Sequence, residues 1–398
     1  MTLPTYIMCK PAGAMCNMAC EYCYYLGKKD LYTQQKRTYM TDETLEAFTK
    51  AYIEAQPGQD VQFTWHGGEA SLRPLDFYKK AVKLQHKYGS GRHIENCFQT
   101  NGLLINDEWA HFFASNGWLV GLSVDGPADF HDEYRRMPAG QSSHHRVMRA
   151  ANILTRNKVE WNAMAVVNDY NADHPDEFYR FFRKELGTEF LQFTPIVERI
   201  DAPGHIAGLG ESGASLAPYS VTPEQWGSFL CRVFDLWVTH DVGDFFVQLF
   251  DATLANTVGV TPGVCTLARE CGHAAVMEHN GDVYSCDHFV FPEYKLGNIH
   301  NDSIHSMMGS ERQRAFGESK RMGLSDDCKA CPVLNLCNGE CPKNRFMPGG
   351  RNYLCAGYRR FFEHSAPAMQ YMKRQLDLGL PPSAITGDDQ MLRMYWPR

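Results

Sequence analysis

Cys16-Asn17-Met18-Ala19-Cys20-Glu21-Tyr22-Cys23, followed by Tyr24 and Tyr25, sets three cysteines within one short stretch just after an apolar segment, Thr5 to Lys10. That segment reads as a first β-strand, so the cysteines fall on the loop behind it. There, three thiolates can converge on three irons of a [4Fe–4S] cube and leave the fourth iron open to a further ligand. Positions 16, 20 and 23 also have the i, i+4, i+7 spacing of a buried helical stripe. Single buried cysteines are common, but three at this spacing, with Tyr22, Tyr24 and Tyr25 around the last, favour the metal.

Outward from this loop, apolar β-branched segments alternate with amphipathic helix-length ones, the pattern of βα units on a parallel sheet. The predicted strands are Thr5 to Lys10, Val61 to Trp65, Ile94 to Gln99, Leu119 to Val124, Glu160 to Val167 and Phe190 to Pro195. Helices are expected to open at Thr41-Asp42-Glu43, at Asn106-Asp107-Glu108 and at Thr222-Pro223-Glu224-Gln225. The last combines an N-cap, Pro at N1 and Gln at N3, and its helix is expected to close the repeat near Thr239. Six units fall short of a closed eight-stranded barrel, so the expected architecture is α/β, an open partial (βα)6 barrel with its site at the strand ends and a gap wide enough for a peptide. Ala202 to Pro218, rich in Gly, Ala and Ser, is expected to form a long surface loop that shapes access.

The chain has 398 residues, 44% of them hydrophobic, and a formal charge of −7. This suits a large buried core and lacks the basic excess that nucleic-acid binding requires. Short runs such as Lys28-Lys29 read as solvated surface. No apolar stretch reaches membrane-span length, and Met1-Thr2-Leu3-Pro4 resembles no export signal, so a cytoplasmic location is expected. Fourteen cysteines in such a compartment point to metal or catalysis rather than disulfides.

After about residue 240 the texture changes. Asn280-Gly281 between Val276-Met277 and Val283-Tyr284 predicts a hairpin. Around it run Cys265, Cys271 and Cys286, then Cys328, Cys331, Cys337, Cys341 and Cys355, enough thiols for two four-cysteine sites. Such sites hold zinc as readily as iron–sulfur, and Cys328-x2-Cys331 alone would favour zinc. Cys9, Cys97 and Cys231 are left as core residues. The expected division is 1–240 for the barrel and 241–398 for a metal-organised domain with a C-terminal helical segment.

CxxxCxxC on the first βα loop resembles the radical S-adenosylmethionine (SAM) superfamily. The resemblance implies that SAM chelates the open iron and, after one-electron reduction, splits to give a 5′-deoxyadenosyl radical that takes a hydrogen atom from substrate. It also implies SAM contacts at Tyr22, at Gly67, Gly68 and Glu69 after the second strand, at Ser123, at Arg135 as a carboxylate partner, and at Ile196 beside the adenine. Taken singly, these would be an ordinary turn, a strand-end hydroxyl and a surface cation. His66 reads as a histidine satisfied by backbone as readily as one facing substrate.

Cys271-x9-Gly281-x4-Cys286 followed by CxxCx5CxxxC and a last cysteine resembles the SPASM domain, which implies two auxiliary clusters and hence three [4Fe–4S] clusters in all. By that resemblance Cys265, Cys271, Cys286 and Cys341 hold one, and Cys328, Cys331, Cys337 and Cys355 the other. Together with Trp65-His66-Gly67-Gly68-Glu69, Gln99-Thr100-Asn101-Gly102, Ser123-Val124-Asp125-Gly126 and Cys286-Asp287, the chain resembles the anaerobic sulfatase-maturating enzymes along nearly its whole length. The resemblance implies oxidation of one Cys or Ser of a sulfatase, within Cys/Ser-x-Pro/Ala-x-Arg, to Cα-formylglycine. It also implies Asp287 as the catalytic base, auxiliary clusters that carry the electron away, and a flavodoxin or ferredoxin as donor. A monomer is expected.

Two other readings compete. Another SPASM-type maturase, crosslinking or epimerising a small peptide, often carries an extra N-terminal peptide-clasp domain, whereas here the first strand starts at once. An iron–sulfur electron carrier or zinc-stabilised binding module would explain the later cysteines but not the open three-cysteine loop with Gly67-Gly68-Glu69.

Overall fold

In a computed structural model the chain forms two compact units built from interleaved segments. Residues 1–123, 131–161 and 272–318 make the first, and residues 124–130, 162–271 and 319–398 the second. The structure describes residues 5–25, 27, 28, 31, 38–207 and 211–395. Met1 to Pro4, Lys29 and positions 208–210 of the predicted access loop lie outside the described residues.

All six predicted strands form: β1 (Tyr6–Cys9), β2 (Asp60–Trp65), β3 (His93–Thr100), β4 (Leu119–Ser123), β5 (Glu160–Val167) and β6 (Phe190–Pro195). In the first unit β1 to β4 pair side by side and parallel. Alternation along β2 buries Val61, Phe63 and Trp65. Trp65 stacks on Phe63 at 5.8 Å and on Trp118 at 6.3 Å, with Tyr78 edge-on at 5.6 Å. Each of these fully buried rings is worth roughly 1.5–3 kcal/mol, and together they fix the strand whose end carries Gly67-Gly68.

The predicted hairpin is present as β7 (Ala274–Met277) and β8 (Asp282–Tyr284), with β9 (Lys295–Asn298) antiparallel beyond it. Gly281 takes φ +87°, which the tight turn demands. What the sequence reading did not anticipate is that β7 pairs parallel to β1, Tyr6 opposite Ala274 through Cys9 opposite Met277. Ala275, Val276 and Met277 are all buried, and the free edge of β1 supplies their backbone partners. The hairpin therefore stands beside the first cysteine loop. Lys28 is not solvated surface: it is buried, with its ammonium 3.3 Å over the Phe291 ring.

In the second unit β5 and β6 are parallel, and Phe246–Val247 extends them beside β6. The helix Pro223–His240 begins with the expected capping box, Thr222 and Gln225 bonding reciprocally. It crosses the helix Cys355–Asp377 at Gly227 and Gly357, where a Cβ on Gly357 would sit 2.4 Å from the Pro223 carbonyl. Within the segment predicted as a loop from Ala202, Ser215–Leu216 pairs antiparallel with Arg199–Ile200. Among the described residues, no helix is long and apolar enough to cross a membrane.

Candidate active site

Cys16, Cys20 and Cys23 lie on a loop with no helix, so the helical-stripe alternative falls. The loop is held at both ends. Gly68 N–H donates to the Gly13 carbonyl at 2.7 Å and Glu69 N–H to the Met15 carbonyl at 2.8 Å, while Ala19 and Glu21 N–H groups donate to the Arg136 and Tyr134 carbonyls at 2.9 and 3.1 Å. Gly68 must be glycine here: a Cβ would lie 2.3 Å from the Met15 carbonyl oxygen.

Glu69 sits behind this contact, nearly inaccessible. Its Oε1 accepts from Ser71 N–H, Ser71 Oγ and Thr100 Oγ1 at 2.9, 2.6 and 2.7 Å, and its Oε2 from Asn101 N–H at 2.7 Å. Asn101 in turn reaches Cys16, its Nδ2 lying 3.8 Å from Sγ, and donates to Asn17 Oδ1 at 2.8 Å. Met18 N–H also donates to Cys16 Sγ, at 3.4 Å. N–H groups aimed at a thiolate suit an iron–sulfur cluster, and the soft three-sulfur donor set fits its three ligated irons. Burial, then Glu69, pushes the Cys16 thiol up to about 11, so loading a cluster must displace its proton.

The pairing of Ala19 and Glu21 with the 134–136 segment also brings Arg135 to Tyr22. Arg135 Nη1 donates to Tyr22 Oη at 3.0 Å, both side chains being buried. Gln99 Nε2 donates to Ser123 Oγ at 2.9 Å. The first unit thus gathers Tyr22, Gly67, Gly68, Glu69, Ser123 and Arg135. Ile196 is buried in the second unit, its N–H on the Val167 carbonyl at 2.8 Å.

Asp287 follows β8 and is bonded at both oxygens: the Lys10 ammonium donates to Oδ1 and the Tyr24 hydroxyl to Oδ2. Lys10 has no exposed surface, whereas the Asp287 side chain keeps 18%, so the carboxylate remains reachable. Burial alone would raise its carboxyl, but the Lys10 charge, with His66 and His288 beside it, outweighs burial and holds it well below the usual range. Lys10 also lies 3.1 Å over the Tyr25 ring, and Tyr25 donates to Glu278. Burial, then Asp287, raises the Tyr24 phenol well above its usual value, keeping it a donor. His66 is satisfied by backbone, as Gly67 N–H donates to Nδ1 at 2.7 Å. Burial, then Lys10, brings it down to about 4, so its ring is neutral with the proton on Nε2.

Lys10 was missed by sequence reasoning, and Tyr24 was noted only as an aromatic neighbour. The available signal was a cation closing a buried apolar strand at the end where α/β sites form.

Side-chain amides stitch the cysteine loops of the second unit together. Asn256 Nδ2 donates to the Leu267 and Leu336 carbonyls at 3.0 and 2.9 Å, and Asn338 Nδ2 to Leu267 at 2.9 Å. Asn338, Gly339 and Glu340 all take positive φ, turning the chain sharply between Cys337 and Cys341. Arg345 donates to three carbonyls of that turn and to the Lys320 carbonyl. Burial, then Cys328 with Cys331, raises the Cys355 thiol, and Cys355 and Cys328 act on Cys337, which burial and Glu340 push up to about 12. Lys320 instead donates to the Cys265 carbonyl at 2.8 Å and is acted on by Cys271, Cys265 and Cys341. Cys9 and Cys231 are buried core residues, and Cys97 is half-buried.

The family model of the radical SAM superfamily matches residues 11–182, and that of SPASM, an iron–sulfur cluster-binding domain, matches residues 265–332. The chain is 57% identical to a serine-type anaerobic sulfatase-maturating enzyme of Bacteroides thetaiotaomicron, over 94% of this chain and 92% of the relative. It is 34% identical to the serine-type enzyme of Klebsiella aerogenes, over 94% and 88%. A solved structure described as native anSMEcpe with bound AdoMet and Cp18Cys peptide superposes with TM-score 0.83 at 29% identity, covering 94% of this chain and all of that one. The chain therefore belongs to the anaerobic sulfatase-maturating enzymes, with a radical SAM domain and a SPASM domain.

Proposed function

We propose that this protein oxidises one Ser or Cys side chain of a sulfatase polypeptide to Cα-formylglycine. The observation that carries the proposal is the Lys10–Asp287–Tyr24 arrangement, which sets a reachable carboxylate in the same compact unit as the Cys16-Cys20-Cys23 loop. The 57% identity to a serine-type relative makes a serine-containing target the first to test.

Cys16, Cys20 and Cys23 hold the first cluster, and the later thiols divide as the spacing suggests, Cys265, Cys271, Cys286 and Cys341 against Cys328, Cys331, Cys337 and Cys355. The neighbours of Cys355, Cys337 and Lys320 support that division. When bound, cluster and SAM supply a carbon radical that removes a hydrogen atom from the target's β-carbon. Arg135, fixed by Tyr22, pairs with the SAM carboxylate, Gly67 and Gly68 keep the floor open, Glu69 holds the loops rigid, Ser123 adds a hydroxyl, and Ile196 covers the adenine.

The residues of this chain then manage one proton. Loss of a β-hydrogen atom makes the adjoining hydroxyl or thiol proton acidic, and Asp287 Oδ takes it. With one electron removed, Ser gives the aldehyde directly, and Cys gives a thioaldehyde that water hydrolyses to the aldehyde with release of hydrogen sulfide. Lys10 keeps Asp287 ionised beforehand, and Tyr24, locked as a donor, fixes the carboxylate's orientation. Residues 1–240 carry the radical chemistry and 241–398 would hold the auxiliary clusters, which would carry the released electron away. The target motif is Cys/Ser-x-Pro/Ala-x-Arg, the donor a flavodoxin or ferredoxin, and the enzyme a cytoplasmic monomer with neither nucleic acid nor membrane as partner.

The test is anaerobic reconstitution with iron and sulfide, then reduction with SAM and a peptide carrying the motif. The expected products are 5′-deoxyadenosine and a peptide aldehyde by mass spectrometry. A protein that holds only zinc, or that leaves SAM intact, would overturn the proposal.

A further inference from the structure

We propose that Lys320 sets the reduction potential of the auxiliary cluster to which Cys265, Cys271 and Cys341 contribute; this rests on the reading that those thiols ligate a cluster. Lys320 is wholly inaccessible, and its ammonium donates to the carbonyls of Cys265 and Thr266 at 2.8 and 2.7 Å. No carboxylate among the described residues lies within salt-bridge distance of it. The groups close enough for their negative charge, when ionised, to favour the ammonium are Cys271, Glu340, Cys265 and Cys341.

A buried ammonium with only carbonyl partners is costly, because two neutral dipoles do not replace water around a full charge. Its compensation therefore comes from Cys271, Glu340, Cys265 and Cys341 together. The backbone behind it is pinned, as Arg345 Nη1 donates to the Lys320 carbonyl at 2.6 Å and its other nitrogens to the Cys337–Cys341 turn, while the two carbonyls of Cys265 and Thr266 hold the ammonium itself.

A four-thiolate [4Fe–4S] cluster gains one unit of negative charge when it accepts an electron. A fixed cation beside its sulfurs, in a medium of low dielectric, favours that reduced form and raises the potential. The effect falls off with distance, so the auxiliary cluster whose thiolates lie farther from the Lys320 ammonium should feel it far less.

The test uses the full chain, anaerobically reconstituted, with Cys16, Cys20 and Cys23 all replaced by Ala so that only auxiliary clusters contribute to the redox titration followed by electron paramagnetic resonance. Lys320→Met removes charge and donors, whereas Lys320→Gln removes the charge but keeps a donor. Expected is one reduction step displaced to more negative potential in both variants, the other step unmoved and the iron content unchanged. Unmoved steps, or a displacement in Lys320→Met alone, would overturn the proposal. Loss of one cluster's iron in both variants would make Lys320 structural and overturn it as well. Background protein that itself holds iron for only one cluster would instead refute the reading on which the proposal rests.

Discussion

The buried Lys10 ammonium pairs with the Asp287 carboxylate across 277 positions of sequence. That pair joins the strand before the first cysteine loop to the residue after Cys286, because β7 docks on β1 and carries the hairpin with it. Asp287→Asn keeps the side chain's shape but removes the acceptor of a proton. Clusters should assemble and SAM should still be cleaved, while aldehyde formation drops at least about 100-fold. Wild-type aldehyde yield in that variant would exclude Asp287 as the base.

Lys10→Met leaves a mostly buried carboxylate without its cation. Removing one partner of such a pair costs about 2–4 kcal/mol, less than for a fully dry pair because Asp287 is partly exposed. The thermal midpoint of the anaerobic holoenzyme should fall by several degrees. The double variant Lys10→Met, Asp287→Asn should lose less than the sum of the two single losses, since neither member is then stranded. Additive losses would mean the two side chains are not coupled.

Gly68→Ala puts a methyl group where the Met15 carbonyl already lies 2.3 Å away. The first cysteine loop must shift, so iron and SAM cleavage at that loop should fall, with the auxiliary clusters retained. Gly58→Ala, where nothing lies within 4 Å of the added carbon, serves as control. Equal iron content in both variants would show that the close approach is not needed.

Strand positions were legible because period-2 burial and helix caps are local, and Val61, Thr41 and Thr222 behave as their neighbours dictate. The cysteine loops were legible from spacing alone. Lys10, Glu340 and Lys320 were not, because a buried charge is recognisable only from the groups that compensate it. Those groups come from distant segments: Asp287 for Lys10, and Cys271, Glu340 and Cys265 for Lys320. The interleaving of the two units was equally hidden, since parallel pairing of β7 on β1 leaves no turn signature.

His66 gives the protein an acid-sensitive term. Native His66 stays neutral to about 4, while the unfolded chain takes up a proton near the ordinary 6.5. Between those values the unfolded state binds more protons, so stability is present above pH 6.5 and is lost as pH falls, by up to about 1.4 kcal/mol per pH unit. His66→Gln should flatten the decline of the holoenzyme's thermal midpoint between pH 6.5 and pH 5.5, with little change above pH 7. An identical decline in both proteins would remove His66 as its source.

Glu69 reads as a cofactor contact in sequence, yet both of its oxygens are already occupied by Ser71, Thr100 and Asn101. Its carboxylate has no donor of its own, and none is wanted, because every partner donates. Glu69→Gln sets an amide N–H₂ against the Asn101 N–H or the Ser71 and Thr100 donors, at a cost of about 1–3 kcal/mol for each donor left unpaired. Asn101, which reaches Cys16 Sγ, should lose its orientation. The expected result is therefore reduced retention of the first cluster, measured as iron released to a chelator, before any change in SAM affinity of the molecules that keep it. If SAM affinity falls while cluster retention is unchanged, Glu69 touches the cofactor directly and the positioning role is wrong.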